Sequence, residues 1–401
     1  MGCEWEQVIL GDLCTKIGSG ATPRGGKESY KNEGISLIRS QNVLDYSLSI
    51  NGLAYIDEQE AKALENVTIQ KGDVLLNITG DSVARACIVP SSVLPARVNQ
   101  HVMILRPNID MLNNGFLLYL LQYYKPHLLS VASSGATRNA LTKAMIENFS
   151  FLCPPLFIQE KIAATLACLD EKIELNNKIN ANLEAQAQAI FKSWFVSVES
   201  DSWDIGNLAD IAYINPQRAL QQQENATYLE MSNLPTQGCF PLGWAKRPYA
   251  GGMKFQNGDT LLARITPCLE NGKATYVNFL DENETAYGST EYIVLAPKLG
   301  YPSEMLYFLV RDEAFINYAI KNMTGSTGRQ RVSGEALGKY EMPIPPLDFL
   351  NVYASFFETV MMTIRQNSFQ NRILSNIRDT LLPKLMSGEI EVLDCYEIGS
   401  N

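Results

Sequence analysis

The chain's 401 residues include two histidines, His101 and His127, and eight cysteines, at positions 3, 14, 87, 153, 168, 239, 268 and 395. The cysteines form no C-x-x-C pair and stand near no histidine, so neither zinc spacing nor a disulfide framework is written in the sequence. The spacing predicts small buried thiols and packed imidazoles, with no metal and no catalytic residue. One stretch approaches a phosphate loop, GSGATPRGGKES at 18–29. A P-loop needs Gly, four residues and then Gly-Lys-Ser/Thr, and here Ala21 takes the first glycine position while Glu28 takes the place of the Mg²⁺-binding hydroxyl. No nucleotide and no other cofactor is expected. As a glycine-rich loop with Arg24 and Lys27 at its tip, the stretch suits contact with a phosphate backbone.

The polar residues that remain are donors and acceptors of the kind that read surfaces, and they fall at matched places in two halves of the chain. GDVLLNIT at Gly72–Thr79 returns as GDTLLARIT at Gly258–Thr266. Ile38–Val43 answers Leu229–Leu234, Val98–Val102 answers Gly288–Tyr292, SSGATRNALT (133–142) answers TGSTGRQRVS (324–333), and Pro154-Pro155-Leu156 answers Pro345-Pro346-Leu347. Such an internal duplication is the first feature to settle before any fold is assigned. Each copy opens with short β-type segments, turn residues and one helix, near 113–131 and 302–322, which predicts an α+β domain.

After each Pro-Pro, which starts a helix well and interrupts one badly, a long helix is expected. Apolar or small residues recur near a 3.6-residue period at Ile158, Ile162, Leu166, Leu169, Ile173, Ile179, Leu183, Ala187, Ile190 and Trp194. The second copy gives Phe349, Tyr353, Phe356, Val360, Ile364, Leu374, Ile377, Leu381 and Leu385. A helix of this kind is roughly 57 Å long, and its apolar stripe must be covered. The economical cover is the other copy's stripe, in an antiparallel pair. Asn176 and Asn367 occupy the same vacant step of the two stripes. Either they meet at the centre as a buried polar pair that fixes register, or each sits at a solvent-exposed edge.

The expected boundaries are a first α+β domain at 1–155, a first long helix at 156–196, a second α+β domain at 197–347, and a second helix and tail at 348–401. The sequence has no apolar run near the roughly 20 residues that cross a bilayer, and MGCEWEQ has neither a basic nor an apolar signal region. A cytosolic protein without a membrane role is expected. The net charge of −10 speaks against a uniformly basic surface but leaves room for a basic loop face.

Four stretches, in order, resemble one family along the full chain: VNQHVMILRPN (98–108), PPLFIQEKIAATLACLDEKIELNNKINANLEAQAQAIFKSWF (154–195), FQNGDTLLARITPCLENGKATYV (255–277) with GSTEYIVLAPK (288–298), and LLPKLMSGEIEV (381–392). The chain resembles the specificity subunit of a type I restriction-modification system. That resemblance implies two pseudo-repeated α/β target-recognition domains separated by two long antiparallel helices forming a coiled coil. It implies a non-catalytic subunit that reads a bipartite, asymmetric double-stranded DNA target and carries two adenine methyltransferase subunits and, through the complex, restriction subunits. The absence from the sequence of an Asn/Asp-Pro-Pro-aromatic tetrad for amino-methyl transfer and of a helicase signature fits that division of labour. The second helix is the looser match, because LNVYASFFETVMMTIRQNSF lacks the Glu-Lys pattern of 171–178.

If both domains share a scaffold but read different half-sites, differing residues in matched loops carry base readout. Arg and Lys suit guanine, while Asn and Gln suit adenine. In the first domain this selects Arg39, Gln41, Arg85, Gln100 and Arg138, with Arg24 and Lys27 on phosphate. In the second it selects Ser232, Arg264, Lys273, Thr290, Arg329, Gln330 and Arg331, with Lys246 and Arg247 on the backbone. Asn42 and Asn233, common to both copies, are assigned to turns. The alternative is a coiled-coil scaffold joining two protein-binding domains, whose loops should show exposed aromatic and Met clusters; these loops carry Arg, Lys, Gln, Ser and Gly instead.

Overall fold

The computed structural model describes residues 5–23, 26–133, 140–194, 202–326 and 328–392. They form two compact units, one of residues 1–172 with 373–401 and the other of 173–372. No helix among the described residues is long and apolar enough to cross a membrane.

In the first unit a four-stranded antiparallel sheet runs in the order Cys14–Ser19, Val102–Pro107, Val74–Asn77, Ala86–Ile88. A three-stranded sheet sets Ile35–Ile38 between Ala54–Ile56 and Ala96–Val98, the last pairing being parallel. In the second unit the order is Ala212–Ile214, Tyr292–Pro297, Thr260–Ala263, Ala274–Tyr276, and a second sheet pairs Asn225–Leu229 in parallel with Ala286–Gly288.

The GDVLL and GDTLL stretches enter inner strands of the two antiparallel four-stranded sheets of like order, and both faces of those strands are covered. Val74 and Leu76 join the core that holds Phe116 and Leu120, whereas Leu75 turns to the core of the smaller sheet with Leu37 and Ile38. Leu262 and Leu261 divide in the same way between the two cores of the second unit. A strand buried on both faces needs a continuous apolar run rather than an alternating one. The preceding Gly-Asp builds the turn. Gly72 and Gly258 have φ of +88° and +90°, which favours glycine. Asp73 accepts a hydrogen bond from the Gln70 amide and Asp259 one from the Gln256 amide, each at 2.7 Å. Both carboxylates are buried, and each is met by a guanidinium, Arg106 from the adjacent strand on Asp73 and Arg218 on Asp259.

Where one helix was expected in each unit, the structure has two: Asn114–Tyr123 then Lys125–Ser133, and Ser303–Val310 then Glu313–Lys321. Pro126 near the start of the second helix has no amide for a continuous ladder. In the other unit Asp312 takes an extended backbone and caps the Ala314 amide at 2.9 Å, which begins a helix anew. Cys168 also departs from the expected burial: it is exposed. Cys14 and Cys268 are half-buried, whereas Cys87 is buried; desolvation pushes the thiols of Cys14 and Cys87 up to about 12, so they pack as apolar groups.

The long helices are Leu156–Trp194 and Leu347–Met386. Within the second unit they run antiparallel, with Trp194 boxed by Phe349, Tyr353 and Phe357 at ring distances of 5.4, 5.1 and 5.3 Å. Within the first unit Ile162 and Leu166 share a core with Leu382 and Leu385, and Arg378 donates to Asp170, which also accepts from the Tyr119 hydroxyl at 2.7 Å.

Asn176 is fully buried, but it does not meet Asn367. Its Nδ2 donates to Gln370 Oε1 and Asn371 Oδ1, both at 2.8 Å, and Asn367 donates to Asn180 Oδ1 at 2.8 Å. The pairing lies one helical turn from the expected one. A meeting of Asn176 with Asn367 would centre Trp194 on Phe349; the indole instead centres on Tyr353, where three rings enclose it. Ile179 and Ile377, expected in the buried stripe, are exposed at 38% and 42%.

Candidate nucleic-acid interface

In each unit the strand that follows the Gly-Asp turn ends against two other segments, and main-chain hydrogen bonds lock the three together. In the second unit the Arg264 amide donates to Glu291 O and the Val332 amide donates to Arg264 O, both at 3.0 Å. Thr324 and Arg331 exchange amide-to-carbonyl bonds at 2.9 Å, and the Thr266 amide donates to Gln330 O at 3.1 Å. The first unit repeats the frame: the Ile78 amide donates to His101 O at 3.0 Å and the Leu141 amide to Ile78 O at 2.8 Å. Even the turn is capped alike, by Asn99 Oδ1 accepting from the His101 amide and by Ser289 Oγ accepting from the Glu291 amide, both at 3.1 Å.

Different side chains stand on these matching frames. In the second unit Glu291 accepts from Arg331 Nε at 3.0 and 2.9 Å and from Arg331 Nη2 at 2.7 Å, and Arg264 Nε lies 4.0 Å from the same carboxylate. The hydrogen bonds from Arg331, with the charges of Arg331 and Arg264, hold the Glu291 carboxyl below its ordinary value of 4.5. This head is charged and partly exposed, with one anion among cations. In the first unit Glu291's place is taken by His101. Thr79 Oγ1 and His101 Nδ1 are 2.6 Å apart, His101 Nε2 and Gln100 Nε2 are 3.0 Å apart, and Gln100 Oε1 accepts from the Thr22 hydroxyl. A chain of hydroxyl, imidazole and amide thus replaces an ion cluster.

The residues selected from sequence divide accordingly. Arg264, Arg331 and Thr290 lie on the three locked segments of the second unit, with Arg329 and Gln330 beside Arg331. Lys273 Nζ donates to Met231 O at 2.8 Å, which ties it to the short turn Met231–Asn233 that exposes Ser232. Lys246 and Arg247 lie on the strand Ala245–Pro248 of the second unit's other four-stranded sheet; Lys246 donates to Glu284 at 2.6 Å and Arg247 stacks on the Tyr228 ring at 4.7 Å.

In the first unit Gln100 belongs to the locked frame, and Arg85 joins it through its main chain, whose carbonyl accepts from the Asn77 amide at 2.8 Å. Arg39 and Gln41 both donate to Gly52 O, and Arg39 covers the Tyr30 ring at 5.1 Å, so they brace a neighbouring turn. Asn42 accepts from the Arg39 amide and donates to Ser49 O, the work of a turn residue. Arg24 and Arg138 lie outside the described residues, as does the side chain of Lys27.

Sequence reasoning passed over Glu291, His101, Thr79 and Thr22. The signal for the first two was present, since matching Val98–Val102 with Gly288–Tyr292 sets His101 opposite Glu291. An acidic residue simply does not suggest itself where contact with an anion is sought.

Forked cations and amides displayed on main-chain-anchored edges of a rigid sheet make a recognition surface. Residues 3–185 match the family model for the type I restriction modification DNA specificity domain. The chain is 23% identical to the type I restriction enzyme HindI specificity subunit of Haemophilus influenzae, over 96% of this chain and 100% of that protein. It is 25% identical to the MjaIX specificity subunit of Methanocaldococcus jannaschii, over 97% and 94%. The crystal structure of the type I restriction-modification S subunit from M. genitalium shares the fold, with a TM-score of 0.56 at 15% identity over 96% of each chain. Over nearly its whole length the chain is therefore similar to the specificity subunits of type I restriction-modification systems, and its first half matches their DNA specificity domain.

Proposed function

We propose that the chain reads a bipartite, asymmetric target, one half with residues 1–155 and the other with 197–347. The long helices at 156–196 and 348–401 fix the spacing of the halves and dock two adenine methyltransferase subunits, through which restriction subunits join. One observation carries the reading: two sheets of like strand order present equivalent locked edges, one dressed as Thr79–His101–Gln100 and the other as Arg264–Glu291–Arg331. Identical frames with different polar heads are what two readers of different base sequences require, because base identity is read by the side-chain donor and acceptor pattern.

The remaining basic residues serve position rather than choice, since phosphate contacts set register without reading sequence. Methyl transfer, and the flipping of the target base that it needs, fall to the partner subunits.

Mapping methylated adenines in genomes of cells with and without this gene tests the proposal. A gene-dependent motif of two defined halves around an unspecified spacer is expected. A continuous or palindromic motif contradicts it.

A further inference from the structure

Arg331 is held by more than its charge. Its main chain exchanges two hydrogen bonds with Thr324, so the Cα is fixed relative to the sheet. Its Nε–H and one Nη2–H go to Glu291, and one Nη1–H goes to Arg329 O at 3.2 Å. A guanidinium has five N–H donors in a rigid plane. Three are therefore engaged among the described residues, and one remains on each terminal nitrogen. The side chain is 40% exposed, so part of the guanidinium's surroundings is solvent rather than protein.

Two parallel N–H groups on a planar fork match the O6 and N7 acceptors of guanine in the major groove, the commonest specific contact of arginine. Adenine offers an acceptor at N7 but a donor at N6, so the fork rejects it. Glu291 does two things for such a contact. It removes the rotamer freedom that a long side chain would lose on binding, and it cancels part of the charge that would otherwise attract any phosphate equally. An arginine used only for backbone attraction has no need of a carboxylate clamp.

Resting on the two-part reading above, we infer that Arg331 is the guanine-reading residue of the second unit and that Glu291 is its positioning residue, presenting the free edge of the guanidinium to the groove. Arg264, 4.0 Å from the same carboxylate, supplies the second cation that keeps Glu291 ionised. The corresponding place in the first unit holds His101 beside Gln100, so the two heads do not read the same base.

The test uses the complex assembled with its modification subunits and duplexes carrying the target found by methylome mapping. Each guanine of the target is replaced in turn by 7-deazaguanine, which keeps Watson–Crick pairing and lacks the N7 acceptor. One position is expected at which the parent loses roughly 10- to 100-fold in binding and at which Arg331→Ala is indifferent to the replacement. Arg331→Lys, which keeps the charge and loses the fork, should be equally indifferent there. Glu291→Gln should lose part of the discrimination at that position and at no other.

If Arg331→Ala and Arg331→Lys bind more weakly but keep the parent's pattern of sensitive guanines, or if no guanine is sensitive in the second half, the assignment is overturned and the bipartite reading stands. A parent whose sensitive bases do not fall into two blocks overturns both.

Discussion

The helix pair of the second unit contains two candidate register devices, an amide layer around Asn176 and an aromatic box around Trp194, and the structure predicts that the box carries the stability. Trp194→Ala removes a side chain that is 3% exposed and stacked among Phe191, Phe349, Tyr353 and Phe357. Deleting such a ring costs about 3–5 kcal/mol, of which each aromatic pairing contributes about 0.5–1.5 kcal/mol. Asn176→Leu behaves differently. It forfeits two neutral hydrogen bonds, about 1–3 kcal/mol together, but it also removes the buried Oδ1 that has no partner, a relief of about 1–3 kcal/mol. The added apolar burial and the tighter fit offset each other to a similar degree. The net change is expected within about 1 kcal/mol of zero. Hydrogen exchange of helix amides between 173 and 194 reads the second unit alone and avoids assuming a single unfolding transition. Loss of protection in Trp194→Ala with near-parent protection in Asn176→Leu is the expected outcome. The opposite order would refute the claim that the indole, rather than the amides, sets the pairing.

Three further outcomes follow from the same contacts. Asp170→Asn should destabilise the first unit by roughly 2–3 kcal/mol, because it leaves Arg378, 12% exposed, without its principal anion; chemical unfolding of the parent and variant checks this. The folded Glu291 carboxyl titrates below its ordinary 4.5, so its ion pair stabilises fully above that pH and the contribution is lost as pH falls through the depressed value; the melting-temperature difference between parent and Glu291→Gln should be constant above pH 5 and shrink on acidification. Inserting four residues near Asn180 adds about 6 Å of helix with the stripe nearly in phase and should move the half-sites one or two base pairs apart, whereas two residues rotate the stripe to the opposite face and should give an unstable protein; methylome mapping and expression yield decide.

What the sequence disclosed and what it withheld follow from the range of the forces involved. The long helices were legible because a 3.6-residue recurrence is a local signal that survives over many turns. Their register was not, since the choice between Asn367 and Asn371 as partners of Asn176 is made eighteen residues away, by the volume of Trp194. The split of each shorter helix was hidden for a milder reason: Asp312 reads equally well as a surface charge and as a cap. GDVLL and GDTLL announced a shared strand, yet the guanidinium that meets each aspartate comes from a different element in each unit, Arg106 from a strand and Arg218 from a loop. Among the candidate reading residues, Arg264, Arg331 and Gln100, chosen for their side-chain type in matched loops, fall on the locked segments. Arg39 and Gln41, chosen by the same rule, each donate to Gly52 O, a contact that only the local backbone path could reveal. Glu291 was missed because it pairs with a cation, Arg331, whereas the search was for residues that touch an anion.

The central claim is that each unit reads its own half of the target. Replacing residues 1–155 with the corresponding segment of a relative of different specificity, followed by methylome mapping of cells carrying the hybrid, tests it most directly. One half of the recognised sequence should change to the relative's and the other half and the spacing should remain as in the parent. A hybrid that assembles and methylates but shows both halves altered would contradict the account.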